Sequence, residues 1–294
     1  MKRLALLAFF VVAACGSIGV QAQTISLAYK AGDVSKYSFH VVLKYTVAAS
    51  GMSIPLNMDM SAKETATVKS VDSDGTADLS VVISDISMKM TMNGTTNTTT
   101  TNTPQTIDMK IAKDGRVISV NGNAFGNNAL PGVSGTQGGV ISAILPDHPV
   151  KPGDTWTKNY DVPNPVGTGS IHATSDNTYL RDDTVNGAKA AVVESKTSTN
   201  LTMNLDLGSM LGAPGTASPS PSTAGGSLTM TGTSKADTTS WVDVSGHRIV
   251  KTHSTGTVDA TITVSATPSP AATVPSFSGP ITLKGTQTVD LTPA

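Results

Sequence analysis

Seven methionines are the residues of this sequence most open to a chemical reading. Met88, Met90 and Met92 alternate on one segment, Met58 and Met60 on another, and Met109 and Met203 lie in further apolar runs. Thioether sulfur is soft and favours Cu(I), so Met-x-Met runs can hold copper. Here the residues between are Lys89 and Thr91, which are not ligands, and no histidine is close in sequence. Plain packing explains the set first, because methionine fills irregular apolar gaps. An adaptable greasy surface that takes up a lipid or another hydrophobic ligand comes second, and copper third. These seven residues are the expected ligand-facing set.

The other reactive side chains form no recognisable machinery. His40, His148, His172, His247 and His253 show no metal-site spacing, and no carboxylate or cysteine completes a zinc set around His247 and His253. No Gly-x-Ser-x-Gly elbow is present. Asp72 and Asp74 suit a turn better than a calcium loop. The glycines from Gly135 to Gly139 open no long helix, so they do not read as a phosphate cradle. Trp156 and Trp241 could stack on sugars, but aromatics are only 4% of the chain, so the core is expected to claim them. No catalytic residue, metal or cofactor is expected, and the chain does not read as an enzyme.

The leading residues point to export. Lys2 and Arg3 precede the apolar run Leu4 to Ala14, and Val20-Gln21-Ala22 offers small residues for cleavage. The run is shorter than the roughly 20 apolar residues of a membrane anchor. Residues 1–22 are therefore expected to be a signal peptide, and 23–294 a single extracytoplasmic β-rich domain, periplasmic or secreted. Cys15 keeps a second reading open. Val12-Ala13-Ala14-Cys15 fits a lipobox, in which Cys15 would be lipidated and the domain tethered to a membrane. Otherwise the part from Gln23 onward has no cysteine and must be stable through burial and sheet hydrogen bonds. Without Lys2 and Arg3 the basic residues fall from 20 to 18 against 21 acidic, a net charge of about −3. Basic residues are scattered, which excludes a nucleic-acid surface.

The elements that must position these residues are strands. Tyr37, Phe39, Val41, Leu43, Tyr45 and Val47 share one face by alternation, and Ala77, Leu79, Val81 and Ile83 another. The phase then slips, and Ile86, Met88, Met90 and Met92 continue it, so a bulge or a break is expected near Asp85. Further strands are expected around Ile107–Ile111, Leu201–Leu207, Val258–Val264 and Ile281–Leu291. Asp74-Gly75, Asp114-Gly115, Asn186-Gly187 and Ser245-Gly246 mark turns. One short helix is expected from Gly138 to Leu145, ended by Pro146. Asn93–Thr106, Gly212–Ser227 and Thr267–Pro280 read as loops, rich in Thr, Ser, Pro and Gly.

The sequence also echoes itself. Ala31-Gly32-Asp33 returns as Pro152-Gly153-Asp154, the stretch from Thr67 to Gly75 as Tyr179 to Gly187, and Ile111 to Ile118 as Val242 to Ile249. Two related antiparallel halves are expected, about 25–130 and 151–294, joined by a linker at 131–150. They should form two similar sheets in a curved half-barrel or sandwich-like structure.

The stretch Pro149-Val150-Lys151-Pro152-Gly153-Asp154-Thr155-Trp156 resembles a family of exported bacterial β-rich proteins of unknown function with a Pro-Val-Lys-Pro-Gly-Asp-x-Trp linker. The resemblance implies a fold loosely similar to the half-barrel lipoprotein and lipid carriers of the bacterial envelope. It brings no catalytic residues. The function expected is a non-enzymatic envelope protein binding a lipid or hydrophobic molecule on a concave sheet face. The alternative is a surface structural or interaction module acting through edges and Thr-rich loops.

Overall fold

A computed structural model describes residues 21–121, 143–163, 170–206, 226–266 and 279–294. Its strands are β1 (Val34–Ala49), β2 (Met52–Val71), β3 (Ala77–Met92), β4 (Thr95–Thr101), β5 (Gln105–Ile111), β6 (Val117–Asn121), β7 (Thr155–Pro163), β8 (Ser170–Val185), β9 (Ala188–Asp206), β10 (Gly226–Asp243), β11 (Arg248–Ala266) and β12 (Ile281–Pro293). All belong to one antiparallel sheet in the order β6-β5-β3-β2-β1-β12-β11-β10-β9-β8-β7, with β4 added beside β3. The outer strands β6 and β7 come together, so the sheet curls into a nearly closed barrel. The two halves of the chain are thus neighbouring blocks of a single sheet, joined where β1 pairs with β12. They are not two sheets stacked face to face.

Alternation decides which side faces in. In β1, Tyr37, Phe39, Val41, Leu43 and Tyr45 are buried while Lys36, Ser38, His40, Lys44 and Thr46 are exposed. One side of β1 therefore builds the interior and the other meets water. Two-residue turns set the register of three hairpins. Ser50-Gly51, Asn93-Gly94 and Asn186-Gly187 each have positive φ at both positions, the geometry that matches strand twist.

The bulge forms where the phase slips. Asp85 and Ile86 stand opposite Ala62, and Asp85 adopts φ +50°. The bulge also divides the partners of β3. Residues Ala77–Ile83 pair with β5, and Ile86–Met92 pair with β4. The Thr-rich segment expected as a loop is therefore largely strand, because Asn93-Gly94 folds it back onto β3 and threonine suits a strand. The other two expected loops fall mostly outside the described residues. No helix occurs among the described residues. Residues 143–145 of the expected helix are extended, and its earlier part lies outside them.

One end of the barrel is covered. The segment from Gln23 to Lys30 runs across it, with Gln23 bridged to Val150, Leu27 N–H donating to Lys113 carbonyl (3.0 Å) and Ala28 N–H to His247 carbonyl (3.0 Å). Ile25 and Leu27 are buried beneath this strap. Residues 143–150 support it: Leu145 N–H donates to Asp114 carbonyl at 2.9 Å, and Trp156 Nε1 donates to Ile144 carbonyl at 3.1 Å. Trp156 is buried, as expected of a core anchor, whereas Trp241 is half-buried, with its Nε1 donating to Asp183 and Lys251 Nζ over its ring.

Candidate ligand-binding interior

The interior is mostly apolar, and most of its buried polar groups lie on one side. Strands β1, β2, β3 and β5 contribute Val41, Leu43, Met58, Met60, Val81 and Ile107, all buried and apolar. Strands β8 to β12 add buried apolar residues such as Val193, Leu201, Met230, Val258 and Leu291, and set among them the buried polar Ser175, Asn177, Ser195, Ser240, Thr252 and Gln287. Several of these polar groups satisfy one another. Ser175 Oγ donates to Asn177 Oδ1 (2.9 Å), Thr197 Oγ1 to Ser175 Oγ (3.2 Å), and Asn177 Nδ2 to Trp156 carbonyl (3.2 Å). Burying hydroxyls and amides is tolerable only with such partners.

The structure brings five of the expected methionines together. Met60 lies opposite Met88, Met58 opposite Met90, and Leu56 opposite Met92, as successive cross-strand neighbours of β2 and β3. Exposure rises along this ladder. Met60 is 2% exposed, Met88 and Met90 are half-buried, and Met92 is 53% exposed. The ladder runs away from the strapped end toward the Ser50-Gly51 and Asn93-Gly94 hairpins. Met109 is elsewhere, buried opposite Leu79 on β5. Met203 stands on β9 opposite Met230, and its side chain falls outside the described residues. Cys15 also lies outside them. The histidines and carboxylates gather into no metal-binding cluster among the described residues.

Among the described residues, three buried side-chain atoms have no hydrogen-bond partner: Glu64 Oε1, Ser195 Oγ and Gln287 Nε2. Such atoms are uncommon in folded proteins and call for an explanation. Glu64 is 2% exposed, between Tyr37 on β1 and Ile83 on β3. Burial pushes its carboxyl up to about 8. Tyr45 donates to Gln287 Oε1 at 3.3 Å, and burial pushes the Tyr45 phenol up to about 12. Attention to metal and catalytic patterns passes over these groups. The signal for Glu64 was nonetheless present: in the inward series Met58, Met60, Ala62, Glu64, Ala66, Val68, one acid interrupts apolar residues.

A pocket of about 200 Å³ opens beside the strap, lined by Tyr29, Tyr37, Val68, Leu79, Ile111 and Ile249, with Asp33, His247 and Arg248 as its charged or titratable lining. A second hollow lies on the outer face around His40 and Asp290, and a third around Lys36, Asn186 and Pro293. None of these three includes a methionine.

No family model and no curated protein matches the chain. Among solved structures, DynF from the dynemicin biosynthesis pathway of Micromonospora chersina aligns over 92% of this chain and 85% of its own, at 7% identity and a TM-score of 0.22. An overlap that low carries no argument about function. The expectation drawn from the Pro-Val-Lys-Pro-Gly-Asp-x-Trp stretch stands at the level of architecture, a β-rich, nearly closed barrel.

Proposed function

We propose that the chain is an extracytoplasmic, non-enzymatic binding protein that holds a lipid or hydrophobic small molecule against its methionine wall. The observation that carries this reading is the graded ladder from buried Met60 to exposed Met92. A core that needed only filling has no reason to continue its methionines into solvent. Unbranched, polarizable side chains at a barrel mouth suit a ligand of variable shape. The test is native mass spectrometry of the protein purified gently from its own cell envelope. A reproducible added mass, extractable as lipid and lost in Met90→Lys, supports the reading. A bare protein at its calculated mass removes it.

A second reading, a surface interaction module, is favoured by β4. This strand carries exposed Thr and Asn along most of its length and pairs only with β3 among the described residues. Its other side is a polar edge that a partner strand could extend.

A further inference from the structure

We propose that the pocket beneath the strap is a second binding site, for a free apolar amino acid held as its zwitterion. The pocket is about 200 Å³. An apolar cavity of roughly 150 Å³ can bind benzene, so a phenyl or isobutyl side chain fits. Val68, Leu79, Ile111 and Ile249 offer such a group apolar surface, and Asp33 and Arg248 line the same pocket with opposite charges. An apolar amino acid carries the complementary pair, an ammonium and a carboxylate on one carbon beside its side chain.

Both charges are accessible and neither is fully met. Asp33 is exposed and forms no ion pair among the described residues; its Oδ2 accepts from Lys30 N–H at 3.2 Å. The Arg248 side chain is 57% exposed, and its one ion pair among the described residues is a loose contact of 3.8 Å from Nε to Asp243 Oδ2. Its guanidinium stands at the pocket wall, because Gly246 also lines the pocket and a Cβ there would lie 3.5 Å from Arg248 Nε. Asp243 itself is occupied by its turn, with Oδ1 accepting from Ser245 N–H, Ser245 Oγ and Gly246 N–H. The Tyr37 hydroxyl donates to Ile249 carbonyl at 2.7 Å, and His247 Nδ1 lies 3.2 Å from Ser26 carbonyl. The Asp33 carboxylate and the planar fork of Arg248 are therefore the charges left to meet a ligand. They line one small pocket without pairing with each other. An ammonium beside Asp33 and a carboxylate on Arg248 would complete both, and a guanidinium fork matches a carboxylate bidentately.

The experiment is calorimetric titration of the intact protein with L-phenylalanine, phenethylamine and hydrocinnamate. The three share one phenylethyl skeleton and differ only in the charges they carry. Phenylalanine should bind about tenfold tighter, or more, than either analogue, because each analogue leaves one charge of the pocket unmet. Asp33→Asn, which keeps an acceptor for Lys30 N–H, should remove the advantage over hydrocinnamate and keep that over phenethylamine. Arg248→Gln should do the reverse. Ala66→Leu, which fills the pocket from β2 and leaves both charges in place, should weaken binding of all three. Equal or tighter binding of either analogue, no binding of phenylalanine, or folded variants that leave the ranking unchanged overturn the proposal. The ligand series on the unaltered protein decides it even where a variant does not fold. None of these outcomes bears on the methionine wall, which is tested by bound lipid.

Discussion

Tyr45 lays its ring over Gly285. The two are register neighbours on β1 and β12, and a Cβ at Gly285 would come within 2.1 Å of Tyr45 Cδ1. The ring reaches past the glycine to hydrogen-bond Gln287, and the Gln287 side chain in turn fills the space over Gly256, whose Cβ would lie 2.9 Å from Gln287 Nε2. An aromatic covering a strand glycine restores the packing that glycine lacks. Gly285→Ala should therefore destabilise the protein by about 1–3 kcal/mol, the range for overpacking. Tyr45→Phe, which keeps the ring, should cost about 1 kcal/mol through the lost hydrogen bond. Urea unfolding of both variants checks the order.

Glu64 gives the barrel a pH dependence of known sign. Its carboxyl is raised in the folded state to about 8, from 4.5. The folded protein thus holds a proton that the unfolded chain releases, and stability falls as pH rises from about 4.5 to about 8. The facing titratable group is Tyr37, whose phenol is itself pushed up chiefly by burial and so stays neutral across this range. Glu64→Gln should leave stability at pH 4 unchanged and raise it at pH 8 by about 2–4 kcal/mol, given about 1.4 kcal/mol per pH unit at full effect. Chemical denaturation of both proteins at the two pH values decides this. A gap that widens toward acid would refute it.

The same turn occurs at the start of β1 and of β7. Asp33 N–H donates to Lys30 carbonyl and Gly32 N–H to Val68 carbonyl, with Val68 N–H returning to Asp33 carbonyl; Asp154, Lys151, Gly153 and Tyr179 repeat the set. Both glycines have positive φ, +91° and +95°, and neither has a neighbour in the way of a Cβ. Gly32→Ala and Gly153→Ala should therefore cost similar amounts, about 1–2 kcal/mol each from backbone strain alone. The costs should add in the double variant, because the turns share no partner. Unequal costs in thermal melts would mean that the two turns carry different loads.

Much of this was legible in the sequence, for a physical reason. Alternation reports burial one strand at a time, so the inward face of β1 and the bulge at Asp85 could be read directly. Which strands lie side by side could not. The pairing of β1 with β12, which makes one sheet of two halves, joins residues about as distant as Tyr37 and Pro293. The methionines of β2 and β3 show in the sequence as alternating runs, but that the two runs face each other is set by the register. Met109 shares only its residue type with them, and the register sets it apart. The Thr-rich segment reads as a loop because it carries too little apolar surface to fold by itself. It forms β4 because β3 supplies a ready ladder of hydrogen bonds. Gln287 gave no warning in its own strand, since its role depends on Tyr45 and on two glycines from separate strands.

The strap makes the last prediction. Gln23 N–H and carbonyl both pair with Val150, and its side chain donates to Tyr179 hydroxyl and to Asp182 Oδ1. Ile25 and Leu27 are 1% and 3% exposed. Cleavage after Ala22 would leave all of these contacts intact, so protein beginning at Gln23 should melt at the temperature of the longer chain. Protein beginning at Lys30 loses the bridge to Val150, two buried aliphatic side chains and the Tyr29 roof of the pocket. At about 1.5–3 kcal/mol for each buried aliphatic residue, it should be several kcal/mol less stable. The melts are to be read alongside N-terminal sequencing of the protein from its own cells. A mature terminus at Gln23 fits export with simple cleavage, a lipidated Cys15 fits tethering, and a start well beyond Ile25 would mean that the strap is not part of the working protein.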